Sequence, residues 1–295
     1  AGSLGSLLRN ERAFRKYLRR QMIEEIKLRN GLSVQMLGVG TYKADLKVPM
    51  DTVIKNCLDA GYRAIDTAEH YGNEDKVGSA VKKSGYNRET LYISSKIWNT
   101  DHGYKRTMEA FEESCDRLNT RIDTMLIHWP CPMKGLFCET WKALQEIYKR
   151  GDLRAIGVSN FKIHHLEALK ELGGEQPMIN QIEMHPYFID DNMLKYAKEN
   201  GITVEAWSPL LRHGDITENA IIGELSQKYG KSPAQIVLRY ITQYGVRALV
   251  KSSSKEHALQ NAQIFDFKLS PEDILKLKTL NTNKRVFQDP DEYYL

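Results

Sequence analysis

The sequence has no run of about 18 apolar residues, so it offers no segment able to cross a membrane as a helix. It has four cysteines, Cys57, Cys115, Cys131 and Cys138, with no CxxC pair and no dense spacing. That usage excludes a disulfide framework and fits a reducing compartment, with the cytoplasm as the expected location. Cys131 and Cys138 lie in one loop and could oxidise together, but free thiols are the expectation. An excess of one charge is missing too. Of 42 Lys/Arg and 38 Asp/Glu, six basic residues and one Glu fall in the first 21 positions, leaving 36 against 37 in the rest. The body therefore presents no basic footprint for nucleic acid.

No stretch reads as a flexible linker, and 295 residues is close to the roughly 250 of an α/β barrel. One domain over 22–295 is expected. The basic start, 1–21, could be an Arg-rich targeting segment, with Leu7, Leu8, Phe14, Tyr17 and Leu18 on one helix face. Its Gly/Ser-rich opening favours a vector-derived or disordered extension instead, with Met22 as the natural start.

What is present is alternation. After a hairpin centred on Asn30-Gly31, short β-branched or apolar runs recur: "MLGVG", "YRAID", "LYISSK", "TMLIHW", "LRAIGVSN", "MINQIEM", "ITVEAW" and "VRALVKS". Between them lie amphipathic segments such as "MDTVIKNCLDA" and "PAQIVLRYITQYG", several closing on Gly. Eight β/α units are the count that closes a (β/α)8 TIM barrel, here with an N-terminal β-hairpin. A doubly wound sheet is the competitor, but "GVGTYK" lacks the third glycine of a dinucleotide fingerprint.

In a barrel the site forms where strands exit into their loops. The exits here carry Asp66, Lys96, His128, Ser159 with Asn160, Gln181, Trp207 with Ser208, and Lys251 with Ser252, while Tyr71 follows Asp66 by five positions. Together Asp66, Tyr71, Lys96 and His128 suggest proton donation: a nearby ammonium lowers the phenol's pKa, a carboxylate keeps that ammonium charged, and His128 donates a hydrogen bond to a substrate oxygen. No side chain supplies hydride, so a nicotinamide cofactor is implied. Ser159, Asn160 and Gln181 could meet its carboxamide, and Trp207 offers a flat face.

Rival chemistries fare worse. A Schiff-base lysine needs a neutral amine, which Asp66 would oppose. The close pair His164-His165 opens a helix, where adjacent side chains are expected to diverge, so no metal is expected. His185 reads as a structural loop residue.

From about Ile23 onward the chain resembles the aldo-keto reductases, through "GVGTYKA", "DTAEHYGNE", "SKIW", "LIHWP", "GVSNF", "NQIEMHPY", "AWSPL", "KSSS" and "QNAQIFDF" in order. The resemblance implies a (β/α)8 barrel and reduction of small aldehydes and ketones with NADPH, NADH serving as a weaker alternative; a monomer or weak dimer is expected. It implies a catalytic tetrad of Asp66, Tyr71, Lys96 and His128, with Tyr71 as general acid. Gly40, Thr41, Tyr42 and Asp66 would contact the cofactor, Ser159, Asn160 and Gln181 would hold its nicotinamide carboxamide, and Trp207 would stack on the ring. Ser208, Leu210, Lys251, Ser252, Ser253, His257, Gln260 and Asn261 would follow the pyrophosphate and adenosine. Tyr42, His70, Trp98, His128 and Trp129 would line the substrate pocket, although core packing also suits the two tryptophans. The short "CPMKGLF" loop and the ending "RVFQDPDEYYL" are similar to microbial members that act on 2,5-diketo-gluconate, glyoxal and prostaglandins, which implies an open pocket. His257 stands where the family commonly has an Arg for the 2′-phosphate. A cofactor-binding protein with a regulatory or structural role is the alternative that the fold leaves open.

Overall fold

In this computed structural model, residues 23–211, 216 and 218–293 are described; the basic extension, Met22 and the chain's last two residues lie outside them. The opening hairpin pairs β1 (Glu25–Lys27) with β2 (Ser33–Gln35), antiparallel. Of Asn30 and Gly31 only Gly31 takes a positive φ, at 86°, so the turn is a longer loop than a two-residue mirror-image turn. Asn30 secures it differently: its side-chain oxygen accepts the Leu32 N–H at 3.1 Å, and its amide reaches the Arg154 carbonyl at 2.9 Å.

The eight runs form β3 (Leu37–Gly40), β4 (Ala64–Asp66), β5 (Tyr92–Ile97), β6 (Thr124–Ile127), β7 (Ala155–Ser159), β8 (Ile179–Glu183), β9 (Thr203–Trp207) and β10 (Arg247–Val250). They pair in parallel in chain order, and β10 closes on β3 with Ala248 opposite Leu37. This is a closed (β/α)8 barrel with the hairpin outside it, as the sequence led one to expect.

Period-two alternation splits each strand between two environments. On β5, Ile93 and Ile97 face the helices, and Ser95 donates to Glu74 of the helix Glu74–Lys83. Tyr92, Ser94 and Lys96 face inward, where the Tyr92 hydroxyl donates to Thr124 at 2.7 Å and Ser94 to Asp66 at 3.0 Å. Apolar packing at the barrel's base gathers Leu28, Val34, Ala64, Tyr92, Leu126, Ala155, Met178 and Ile179 beneath the hairpin. The larger core lies between barrel and helices, with Trp141, Tyr62, Phe161 and Tyr240 fully buried in it.

Three helices had no marked place in the sequence pattern: Ala220–Tyr229, Lys255–Ala262 and Pro271–Lys278. Their starts are set by capping, since Asn219, Ser254 and Ser270 each accept a backbone N–H of the first turn. Close approach matters once among the helices. A Cβ added at Gly78 would lie 1.8 Å from the carbonyl oxygen of Leu118, where the helix Glu74–Lys83 crosses the end of the helix Tyr104–Leu118. Because that atom is backbone, the helices must move apart. Gly78→Ala should therefore cost about 1–3 kcal/mol despite its gain in helix propensity, read as a lower urea midpoint; an unchanged midpoint would mean the helices do not meet there.

Candidate functional site

Asp66 ends β4, and the chain then makes a turn that lifts Tyr71 over the barrel mouth. Thr67 donates to Asn73 at 3.1 Å, Asn73 donates to the Thr41 carbonyl at 3.0 Å, and a short 3-10 turn runs from Glu69 to Tyr71. Gly72, at φ 62°, ends it. Position 72 needs glycine's tolerance of the left-handed region.

Lys96 rises from β5 beneath this turn. Its ammonium is fully buried and donates to Asp66 Oδ2 at 2.7 Å, the Thr67 carbonyl at 2.8 Å and the Tyr71 hydroxyl oxygen at 3.2 Å. All three N–H groups are thus engaged. Burial alone would push this ammonium's pKa down, but Asp66 and then Tyr71 outweigh it, so it stands above the ordinary lysine value. Tyr71 departs from the sequence expectation: burial lifts the phenol above its ordinary value, and the Lys96 charge offsets only part of the rise. The phenol is therefore protonated throughout neutral pH.

His128, just past β6, has its ring edge-on to Tyr71, with centroids 5.7 Å apart. Burial, followed by the Lys96 charge, holds it well below its ordinary pKa, so it is a neutral imidazole. His70 stacks on Trp98 at 3.6 Å, and Trp98 stands edge-on to His128 at 5.0 Å. Tyr42 tilts against Tyr71 at 4.9 Å. Trp98 and Trp129 are each only half-buried, which places them on the wall of the mouth rather than in the core.

The expected nicotinamide residues form one hydrogen-bonded patch beside this cluster. Ser159 donates to the Gln181 carbonyl at 2.9 Å, and the Asn160 amide donates to Ser159 Oγ at 3.1 Å and to the His128 carbonyl at 2.9 Å. Asn160, at φ 63°, in turn accepts the Trp207 indole N–H at 2.9 Å. Gln181 donates through Nε2 to Asp66 Oδ1 and to Glu205, both at 2.9 Å. Thr41 is buried and donates to the Asp66 carbonyl at 2.9 Å, next to the half-buried Gly40. Ser208 and Leu210 follow Trp207 and are half-buried, with Ser208 at φ 53°.

A second group sits past β10. Lys251 and His257 are exposed, Ser253 and Gln260 half-buried, and Ser252 buried with its hydroxyl accepting from Asn261 at 3.3 Å. His257 lies in the first turn of the helix Lys255–Ala262, where its backbone N–H is capped by Ser254.

The sequence expectation for His164-His165 does not hold. The rings converge, with centroids 4.0 Å apart, and both bring Nε2 to Asp291 Oδ1, at 2.8 and 3.0 Å. Side chains of a first helical turn lean toward the N-terminus, and Asp291 lies off that end. The cluster is committed to holding the chain's end: Lys162 occupies Asp291 Oδ2 at 2.7 Å, and His165 Nδ1 accepts the Lys162 N–H at 3.1 Å, which leaves the proton on Nε2. His185 is buried against Glu183 at 3.0 Å, consistent with a structural residue.

Sequence reasoning missed five contributors. Phe287 meets Trp207 edge-on at 4.8 Å, and Tyr293 stacks on Trp129 at 4.2 Å, so the C-terminal segment borders both halves of the mouth. Glu205 and Arg247 lie inside strands, where only a charge at inward-facing spacing from the strand ends could have marked them. Glu69, a fifth, shares the Tyr71 turn and accepts the Trp98 N–H at 3.2 Å. Burial and a hydrogen bond to the Asp101 carboxyl raise its pKa to about 7.

Glu69 makes stability depend on pH. Its folded pKa lies above the unfolded value, so the folded state binds the extra proton and stability falls as pH rises from about 4.5 to about 7. The difference in urea midpoint between Glu69→Gln and the parent protein should grow across that window and then level off; parallel profiles would mean Glu69 does not hold its proton.

Residues 36–282 match the family model described as the aldo/keto reductase family. The chain is 43% identical over 270 residues to the glyoxal reductase of Bacillus subtilis (strain 168), covering 91% of this chain and 97% of that protein. It is 39% identical over 270 residues to methylglyoxal reductase DkgA of Escherichia coli (strain K12), covering 91% and 97%. The solved structure of a Bombyx mori aldo-keto reductase in complex with NADP superposes with a TM-score of 0.84 at 30% identity, covering 92% of this chain and 96% of that one. Among the described residues no helix is long and apolar enough to cross a membrane. On the closed barrel, the match over 36–282 and these identities, the chain belongs to the aldo/keto reductase family of oxidoreductases.

Proposed function

We propose that the protein reduces small aldehydes and ketones to alcohols with NADPH, with Tyr71 as the general acid. The observation that carries this reading is the Lys96 ammonium donating to the Tyr71 oxygen, because it leaves the phenol's own proton free for a substrate. The bound cofactor supplies the hydride that adds to the carbonyl carbon. His128, neutral, donates an N–H to the carbonyl oxygen and holds it beside the phenol. As that oxygen gains charge, the Tyr71 proton passes to it, and Lys96 stabilises the phenolate left behind. Asp66 keeps Lys96 charged and fixed. The likeness to glyoxal and methylglyoxal reductases supports small dicarbonyls among the substrates.

The residues suit the cofactor. Gln181 has committed its NH2 to two carboxylates, which leaves a carbonyl oxygen for a carboxamide donor, and Trp207 is half-buried and oriented by Asn160. Lys251, Ser252, Ser253 and His257, with Gln260 and Asn261 behind them, would hold the adenosine end and its 2′-phosphate, with NADH accepted more weakly.

Tyr71→Phe should lower the reduction rate about 10² to 10⁴-fold while NADPH binding, followed by fluorescence quenching, stays within a few-fold. The basic limb of kcat/KM in the parent enzyme should lie above the ordinary tyrosine value near 10, since burial raises this phenol. Lys96→Met should be comparably damaging. Near-normal turnover of Tyr71→Phe on glyoxal, methylglyoxal and short aldehydes would refute the acid assignment.

His257→Arg should tighten NADPH several-fold and leave NADH almost unchanged, because a guanidinium binds phosphate as a permanently charged fork. Equilibrium titration of both cofactors decides this: no gain for NADPH would place position 257 away from the 2′-phosphate.

A further inference from the structure

Below the candidate site, a chain of buried polar groups crosses the barrel interior. Lys96 holds Asp66 Oδ2; Asp66 Oδ1 accepts Gln181 Nε2; the same Nε2 donates to Glu205 Oε2; Glu205 Oε1 is ion-paired with Arg247; and Arg247 Nε donates to the Gln35 carbonyl of the hairpin at 2.6 Å. Arg247 also lies over the Tyr92 ring, 5.5 Å from its centroid. Glu205 and Arg247 are each only 1% exposed. Two cations and two carboxylates thus balance inside a space that in a barrel is ordinarily filled by branched apolar side chains. A buried ion pair of this kind is weak evidence for stability, since apolar residues of similar volume commonly do as well.

Its geometry suggests another use. A primary amide can be turned over by 180°, exchanging its donor and acceptor, and its surroundings decide which orientation persists. Both Nε2 hydrogens of Gln181 point at carboxylate oxygens. The reverse orientation would face a carbonyl oxygen toward both, so two negative charges forbid it. Asp66 alone would leave one hydrogen unassigned; Glu205 supplies the second acceptor, and Arg247 is the cation paired with it.

We propose that Glu205 and Arg247 are positioning residues for cofactor recognition: they lock the Gln181 amide so that its carbonyl oxygen is the group presented to the nicotinamide carboxamide. This inference rests on the proposed reading that Gln181 meets that carboxamide. The pair touches neither substrate nor cofactor and acts only through Gln181.

The test uses NADPH and its 3-acetylpyridine analogue, in which a methyl group replaces the carboxamide NH2. The parent protein should bind NADPH about tenfold more tightly than the analogue, the size of one lost hydrogen bond to an ordered acceptor. In Glu205→Gln the neighbouring amide can donate as well as accept, so Gln181 is free to turn over and the preference should fall to about twofold or less. Glu205→Asp, which keeps the carboxylate, should restore part of it. Because Glu205→Gln leaves Arg247 without its counter-ion, the double variant Glu205→Leu/Arg247→Met, with no unpaired charge, decides the matter should the single variant not fold; it too should lose the preference. If the parent prefers NADPH and both variants keep the full preference, the positioning role is overturned while the Gln181 reading stands. If the parent itself does not distinguish the two cofactors, the Gln181 reading falls, and this inference with it.

Discussion

A single ammonium organises this molecule's chemistry. Lys96 sits where no water reaches it, and an ion so placed is tolerated only when its hydrogen-bonding capacity is met in full. Asp66, the Thr67 carbonyl and Tyr71 meet it, and each is delivered by a different constraint. Asp66 is set by the end of β4, Thr67 by the first residue beyond it, and Tyr71 by the turn that Asn73 and Gly72 fix in place.

The same charge sorts the states of its neighbours. It opposes protonation of His128 and partly offsets the burial that raises the Tyr71 phenol. Donor and acceptor roles are therefore settled before any ligand arrives: a protonated phenol beside a neutral imidazole. Preorganisation of this kind lets a site stabilise a developing charge without rearranging at the moment of reaction.

The sequence made legible what followed from alternation and from strand ends. Asp66, Lys96, His128, Ser159 and Gln181 stood out because a polar residue closing an apolar run has no packing reason to be there. Glu205 and Arg247 stayed hidden because charged residues within "VEAW" and "VRALV" read as solvent-facing positions of an alternating strand. Only closure of the barrel turns that face inward. Phe287 and Tyr293 belong to a tail with no periodicity, so their contacts depend on where the tail is pinned. The His164-His165 expectation failed for a related reason: helical spacing describes mid-helix neighbours, whereas these rings lean off the end of a helix toward a residue more than a hundred positions away.

That pinned tail divides the molecule mechanically. Glu183 accepts the Val286 N–H at 2.7 Å, Lys162, His164 and His165 gather on Asp291, and between and beyond these anchors Phe287 and Tyr293 lie against Trp207 and Trp129. The barrel is held by apolar packing and continuous strand pairing, both indifferent to ionic strength. The tail is held in part by the partly exposed pairs of Lys162 with Asp289 and Asp291, of a kind worth about 0–1 kcal/mol each and weakened by salt. One border of the mouth is thus fastened in part by interactions that salt weakens. Concentrated salt would loosen the tail beside both aromatic faces together and leave the buried Lys96 cluster beneath them unchanged.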